Sequence, residues 1–339
     1  MLKTICGYFC AFMFFIPECC VAQGKKPEDF GFKHLRMVFK GDTADILLKS
    51  RKGEEHLRKP LFLFCQGSMP QPLIKYDNQG LYGVFPFGTD SLEKEYHLAI
   101  VGKPHIPVVA DVATLDKQMG YVDAQTGKYP SAYSRRNYLE YYVDRNIAVI
   151  AYLHKHNYIN PVTTVVAGHS EGSTVAAMMA LKSKKVTQLI YSSGNPLGRI
   201  QSIISQRRLT ESDSTRYAED EMDYWNYVCE NAGSTDDSNG DTPKATFGFS
   251  YPPIRYLEKL TIPVLVCYGT KDVAVAGNDY LRIDMIRNRK RNFSFKAYIG
   301  LEHNFFPLDD SGRADYSKFN WNRVASDWRE WLLSAQLMR

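Results

Sequence analysis

The sequence predicts an α/β protein in which a mostly parallel central sheet carries helices on both faces, with a cap insertion late in the chain. Short apolar, β-branched segments alternate with amphipathic helical segments along most of its length, a pattern typical of parallel sheets. The 339 residues, 44% of them hydrophobic, are enough for one large core. Chains of this class often fill such a length as a single domain.

The predicted elements follow one another in a regular order. Three early segments, 35–40, 45–49 and 60–65, are predicted strands because polar, Gly-containing connections separate them. Strands then alternate with helices, which favours parallel pairing. The later predicted strands are 96–101, 163–167, 187–191, 263–268 and 294–299, and the predicted helices are 133–152, 173–181 and 321–337.

Two stretches interrupt this alternation. Residues 70–95 form a predicted loop rich in Gly, Pro and aromatic residues, and residues 198–259 form a long insertion between two predicted strands. Long insertions in compact domains are usually functional lids or disordered segments. We predict a partly helical cap over an active site, the alternative being an insertion away from it. Aromatic residues that could line a pocket or pack the insertions onto the sheet are Tyr76, Tyr82, Phe85, Phe87, Tyr224, Trp225, Tyr227, Phe247 and Phe249.

The first 22 residues are predicted to be a signal peptide. Lys3 gives a positive start, and the apolar stretch 5–16 is too short to span a bilayer. Cys20 and Ala22 place small residues at the −3 and −1 positions of a cleavage site. We therefore expect residues 23–339 to be exported to the periplasm or the medium, without a transmembrane segment.

Composition argues against two other kinds of site. Cys65, Cys229 and Cys267 remain after the predicted cleavage, and their spacing fits no metal site. The formal charge is +5, and acidic and basic residues are interspersed rather than collected into a run that would follow a phosphate backbone. We therefore expect neither a metal site nor a nucleic-acid partner.

The sequence Gly-His-Ser-Glu-Gly at residues 168–172 is the motif that carries the functional prediction. Gly-x-Ser-x-Gly alone is common, but here it lies between the predicted strand 163–167 and the predicted helix 173–181. That strand–turn–helix setting is typical of a nucleophile elbow. Glycines relieve crowding at the sharp turn, and the helix N-terminus favours developing negative charge. We predict Ser170 as a nucleophile, the alternative being an ordinary turn serine.

A serine nucleophile needs a general base, because its hydroxyl is unreactive near neutral pH. In such sites the chain order is serine, acid, histidine. His303 follows the last predicted strand, and Asp272 follows the strand at 263–268. We predict His303 as the base and Asp272 as the acid that orients it. The fallback acids are Glu302, Asp309 and Asp310.

Two backbone N–H groups are predicted to bind the oxyanion. One belongs to Glu171, the residue after the nucleophile, and the other to Ser68 in the loop after the third strand. Gly67 allows close approach of that loop. The Glu171 side chain has two interpretations: a carboxylate stabilised by the helix dipole, or a group that recognises a cationic or hydroxylated substrate.

From about residue 35 to residue 337 the chain resembles the α/β-hydrolase superfamily. The oxyanion loop, elbow, acid loop and histidine loop come in the same order, and residues 263–272 look like the acid-bearing strand. The resemblance implies acyl transfer through an acyl-enzyme, without a metal or cofactor. One departure is Gln66-Gly67, where the family often has His-Gly.

The elbow is similar to those of prolyl-oligopeptidase-like peptidases and dienelactone-hydrolase-like esterases. The peptidases usually place a β-propeller before the hydrolase domain, whereas a few tens of residues precede the first predicted strand here. We therefore expect an exported serine hydrolase that cleaves a small carboxylic ester. The alternatives are a serine aminopeptidase or amidase acting on short peptides, and an inactive hydrolase-fold binding protein.

Overall fold

Within residues 25–237 and 241–337, which the computed structural model describes, eight strands form a central sheet and three more form a small second one. In chain order the strands are β1 Lys33–Phe39, β2 Asp42–Lys49, β3 Lys59–Cys65, β4 Ile74–Asp77, β5 Gly80–Tyr82, β6 His97–Val101, β7 Val109–Asp111, β8 Ile159–His169, β9 Gln188–Ser192, β10 Val264–Gly269 and β11 Phe293–Tyr298.

The central sheet has the strand order β1-β2-β6-β3-β8-β9-β10-β11. β2 pairs antiparallel with both β1 and β6, and every other neighbouring pair is parallel. The predicted mostly parallel sheet is therefore confirmed. Since the carboxyl ends of parallel strands meet at one edge, the loops after β3, β8 and β10 converge there.

The helices are α1 Asp90–Glu93, α2 Ser131–Ser134, α3 Leu139–Leu153, α4 Glu171–Lys182, α5 Arg199–Arg208, α6 Tyr217–Glu230, α7 Pro243–Ser250, α8 Ile254–Leu257, α9 Val275–Arg287 and α10 Trp321–Leu337. The single helix predicted at 133–152 is divided into α2 and α3, because Tyr138 has extended backbone angles. Between the two helices, the Arg136 side chain donates to Asp42 at 2.6 Å. Where a loop was predicted at 70–95, the structure forms β4, β5 and α1.

Side chains of β3 show how the sheet divides the core. Leu61 and Leu63 face one apolar cluster, and Phe62 and Phe64 face the other, as the two-residue period of a strand requires. α3 and α4 pack on the first face and α10 packs on the second. The predicted helices on both faces are confirmed.

The insertion predicted at 198–259 contains α5, α6, α7 and α8. Its second half joins the core: Phe249, Tyr256 and Leu257 belong to the same buried cluster as α3 and α4. The first 22 residues, predicted as a signal peptide, lie outside the described residues. In the described part of the chain no helix combines the length and the apolar character needed to cross a membrane.

Candidate active site

The sharp turn between β8 and α4 holds Ser170 in a strained backbone conformation. Its φ is +56° and its ψ is −127°, a combination costly for a residue with a Cβ. The flanking positions must be glycine because a Cβ at either one would clash with a nearby backbone carbonyl. A Cβ added at Gly168 would lie 2.0 Å from the carbonyl oxygen of Gly172, and one at Gly172 would lie 2.0 Å from that of Cys65. The turn therefore presses against the end of β3.

Ser170, His303 and Asp272 form a continuous hydrogen-bonded series. His303 Nε2 lies 2.9 Å from Ser170 Oγ, and His303 Nδ1 lies 2.8 Å from Asp272 Oδ2. The Asp272 side chain is fully buried, and its other oxygen accepts from the N–H of Ala274 at 3.0 Å. In the tautomer with the proton on Nδ1, His303 donates to Asp272 and accepts from the serine hydroxyl, the arrangement of a serine–histidine–acid triad.

The surroundings of His303 act on its charge in opposite directions. Burial disfavours the imidazolium, whereas the hydrogen bond and the negative charge of Asp272 favour it. The two effects of Asp272, together with the charge of Glu302, outweigh burial, so the pKa of His303 is raised. A raised pKa makes the ring a stronger proton acceptor, which suits a general base.

None of the fallback acids bonds to His303 among the described residues. Glu302 instead accepts from the N–H groups of Asn304 and Phe306 within its own loop, at 2.8 and 3.0 Å. Asp309 accepts from residues of the following turn. Asp272 is thus the carboxylate that the fold brings to the imidazole.

His169, the residue before Ser170 in the elbow, connects the elbow to the histidine loop. Its two ring nitrogens lie 3.1 Å from Ser192 Oγ and 3.1 Å from Asn304 Oδ1, and its ring centroid is 5.2 Å from that of His303. Burial lowers the pKa of His169 to about 3, so the ring stays neutral near neutral pH. These contacts depend on tertiary packing, and no local sequence signal reveals them.

The loop after β3 lies directly beside Ser170. A Cβ at Gly67 would lie 3.7 Å from the Cβ of Ser170. Tyr133 donates to the carbonyl of Ser68 at 3.2 Å, and Gln66 donates to the carbonyl of Val101 at 2.7 Å, so two side chains fix the loop.

Two backbone N–H groups next to Ser170 are candidates for binding an oxyanion. In the described part of the chain, the N–H groups of Ser68 and Glu171 donate to no protein acceptor. Glu171 is the first residue of α4, where an N–H has no partner within its helix. Both residues border the cavity that contains Ser170, so both predicted oxyanion donors lie beside the nucleophile.

The Glu171 carboxylate is held between two cations. Lys103 Nζ lies 3.3 Å from Oε1, and Arg199 Nη2 pairs with Oε2. Burial lowers the pKa of Lys103 to about 7. With its charge already compensated, this carboxylate is poorly suited to bind a cationic substrate, which favours the structural interpretation.

A cavity of about 760 Å³ opens beside Ser170 and His303. The insertion contributes one wall through Arg199, Ser202 and Ile203 of α5, and Phe249 of α7. Of the aromatic residues considered from the sequence, Phe249 lines this cavity, whereas Phe85 and Phe87 are buried in the core and Trp225 stacks on Phe247. The size suits a drug-sized ligand.

Two further observations concern metals and cysteines. Within residues 25–237 and 241–337, no three or more His, Cys, Asp or Glu side chains are grouped as metal ligands would be. Cys65, Cys229 and Cys267 are free thiols, the first and last of them buried.

Comparison with known proteins identifies the fold. No family model matches the sequence, and no curated protein matches it either. Among solved structures, Est1E from Butyrivibrio proteoclasticus is similar with a TM-score of 0.51 at 14% identity, covering 90% of this chain and 99% of that one. Its structure with ferulic acid bound has a TM-score of 0.53 at 16% identity, covering 89% and 99%.

Dipeptidyl peptidase 4 from Porphyromonas gingivalis is also similar, with a TM-score of 0.51 at 14% identity. The match covers 89% of this chain but 35% of the peptidase. Similarity at such low identity concerns the fold alone. The chain has the α/β-hydrolase fold, as the order of its motifs predicted.

Proposed function

We propose that the protein is a serine hydrolase that cleaves a carboxylic ester through an acyl-enzyme intermediate. The observation that carries the proposal is the hydrogen-bonded series from Ser170 Oγ through His303 to buried Asp272, at 2.9 and 2.8 Å. Each distance is within the range needed for proton transfer and for orientation of the base. The free N–H groups of Ser68 and Glu171 support it further.

In the proposed acylation step, Ser170 Oγ attacks the ester carbonyl carbon while His303 Nε2 accepts the hydroxyl proton. The carbonyl oxygen becomes an oxyanion that accepts from the N–H groups of Ser68 and Glu171. Asp272 stabilises the imidazolium without taking its proton. When the tetrahedral intermediate collapses, the C–O bond to the alcohol breaks, and the alcohol leaves with the proton from His303.

Deacylation repeats the sequence with water. His303 accepts a proton from the water as its oxygen attacks the acyl carbon, and the same two N–H groups bind the second oxyanion. Collapse releases the carboxylic acid and returns the proton to Ser170. Every proton transferred is held by Ser170, His303 or the reactants, so the proton transfers of the two steps balance.

The same residues would also cleave an amide, so the choice of an ester depends on the substrate cavity. We propose that α5 and α7 of the insertion cover this cavity as a cap. Est1E binds ferulic acid, which makes an aromatic acyl ester a reasonable member of a test panel. We also propose that the protein is exported, on the basis of residues 1–22.

The test is hydrolysis of matched nitrophenyl esters, a methyl ferulate and aminoacyl nitroanilides by residues 23–339. Ser170→Ala should lower ester turnover by several orders of magnitude, whereas Ser214→Ala, at an exposed serine, should not change it. Anilide cleavage that equals ester cleavage would replace the esterase proposal by the peptidase alternative. Equal ester turnover by wild type and Ser170→Ala would contradict the proposal altogether.

A further inference from the structure

Four charged side chains form a continuous series that connects the elbow to the insertion. Lys103 pairs with Glu171, Glu171 pairs with Arg199 Nη2, and Arg199 Nη1 lies 2.7 Å from Asp241 Oδ2. The side chains of Lys103, Glu171 and Arg199 are 3%, 5% and 15% exposed, and that of Asp241 is 44% exposed. We call these four residues the charge bridge.

Aromatic rings fix both cations of the charge bridge. The Lys103 ammonium lies 4.6 Å from the ring centroid of Tyr142, and the Arg199 guanidinium lies 4.6 Å from that of Phe249. Cation–π contacts of this length are attractive, more so when desolvated. The Arg199 guanidinium therefore packs against the Phe249 ring and pairs with a different carboxylate through each of its two terminal nitrogens.

Through Arg199, the charge bridge connects the insertion to the elbow. Arg199 is the first residue of α5, and Asp241 lies shortly before α7, so both belong to the insertion. Glu171 belongs to the elbow. The planar guanidinium can hold two carboxylates at once, which the single point charge of a lysine cannot do in the same geometry.

An uncompensated carboxylate at Glu171 would oppose the proposed reaction. Its negative charge would lie one residue from Ser170, where the proposed oxyanion develops, and repulsion is strong in a water-poor site. The Arg199 guanidinium and the Lys103 ammonium, which is only partly protonated near pH 7 because burial lowers its pKa to about 7, offset this charge and weaken the repulsion. They also fix the first turn of α4, which carries the Glu171 N–H.

We propose that Arg199 is a positioning residue that holds Glu171, and with it the oxyanion-binding N–H, while cancelling the carboxylate charge beside the reacting carbonyl. The inference rests on the proposed function. Since Arg199 also binds Asp241, the alignment of the elbow depends on docking of the insertion. Arg199 acts through Glu171 and needs no contact with the substrate.

The kinetic test compares Arg199→Gln with wild type on a nitrophenyl acetate. We expect kcat to fall about 10- to 100-fold, no more than on loss of an oxyanion donor. KM should stay within about threefold, because Arg199 acts through Glu171 rather than on the bound substrate. Arg199→Lys should recover part of kcat by pairing with Glu171 alone. The matched control is Arg207→Gln on the same helix, whose exposed pair with Glu221 at 2.8 Å is remote from the elbow.

A second measurement does not require turnover. Amide hydrogen exchange should quicken in the first turn of α4 and in α5 of Arg199→Gln, and remain as in wild type for Arg207→Gln. If wild type shows no Ser170-dependent hydrolysis, the proposed function fails, and exchange alone decides whether Arg199 fixes the elbow.

The inference is overturned if Arg199→Gln keeps kcat within about twofold of wild type, if KM alone changes, or if exchange in α4 is unchanged. If Arg199→Gln fails to fold, Arg199→Lys provides the test. A lowered kcat at unchanged KM in Arg199→Lys supports the inference, and kcat and KM equal to those of wild type overturn it.

Discussion

At the residue scale, the balance of burial and charge around His303 sets the pH range in which Ser170 can be activated. The imidazole must be neutral to accept the serine proton. Burial lowers its pKa, and the hydrogen bond and charge of Asp272, together with the charge of Glu302, raise it by more. kcat/KM should therefore rise with pH through a raised pKa of His303 and level off above it.

Replacing the acid should move this pH dependence. In Asp272→Asn the two contributions of the Asp272 carboxylate that raise the pKa of His303 are lost, and burial is opposed by the charge of Glu302 alone. The rise in kcat/KM should therefore shift to lower pH. Its plateau should also fall by about 10⁴-fold, because the amide favours the wrong tautomer. A pH–rate profile measures both effects. Asp310→Asn, at an exposed fallback acid, should match wild type; a profile of Asp272→Asn that shifts upward or stays in place would contradict the assignment.

The residues that meet at this site differ in how well sequence predicts them. Ser170, Asp272 and His303 each follow a strand in a recognisable order, so their meeting at one sheet edge could be predicted. The bonds of His169 to Ser192 and Asn304 could not, because they join segments 23 and 135 residues apart and depend on rotamers. The pairing of Arg199 with Glu171 depends in the same way on how the insertion folds back.

At the element scale, α5 is the part of the insertion that approaches the proposed nucleophile. Ser202 and Ile203 face the cavity, whereas Arg207 on the next turn is exposed and pairs with Glu221. One face of this helix thus limits the space beside Ser170. The insertion could be recognised from its length, but which face lines the cavity could not.

Narrowing the cavity from α5 should change acyl preference. Ile203→Trp adds bulk to the wall, so kcat/KM for an octanoyl ester should fall at least about tenfold relative to an acetyl ester, a difference of roughly 1.4 kcal/mol in transition-state binding. Arg207→Trp, on the exposed face, provides the control. Equal acyl profiles for Ile203→Trp and wild type would mean that α5 does not limit the bound acyl chain.

Helix α9 shows why hydrophobic periodicity in the sequence does not predict every helix. Tyr280, Ile283 and Ile286 are 48%, 55% and 69% exposed, so apolar residues cover its outer side as well as its inner side. No amphipathic stripe marks the helix. The mostly parallel sheet, in contrast, could be predicted from the alternation of strand and helix segments.

At the scale of the whole molecule, the closing helix α10 connects the second core to the site. Trp328 is fully buried, and its Nε1–H donates to Cys267 Sγ at 3.3 Å. Trp321 on the same helix meets the His169 ring edge-on at 4.8 Å. Packing of α10 therefore supports the histidine loop through His169 and Asn304.

Trp328→Ala should destabilise the protein by about 3–5 kcal/mol, since it leaves a large cavity in the second core. Urea unfolding measures the loss. Tyr316→Ala, at a side chain 73% exposed, should change the free energy of unfolding by less than about 0.5 kcal/mol. Comparable stability of the two variants would show that α10 is not integral to the core.

The central claim is that His303, paired with buried Asp272, activates Ser170. Covalent labelling by a fluorophosphonate, located by peptide mass spectrometry, tests it most directly. Wild type should carry one adduct on Ser170. His303→Ala should label slower by orders of magnitude, and Ser170→Ala should not label at that peptide. Absence of an adduct on Ser170 in folded wild type, or equal labelling rates in wild type and His303→Ala, would contradict the claim.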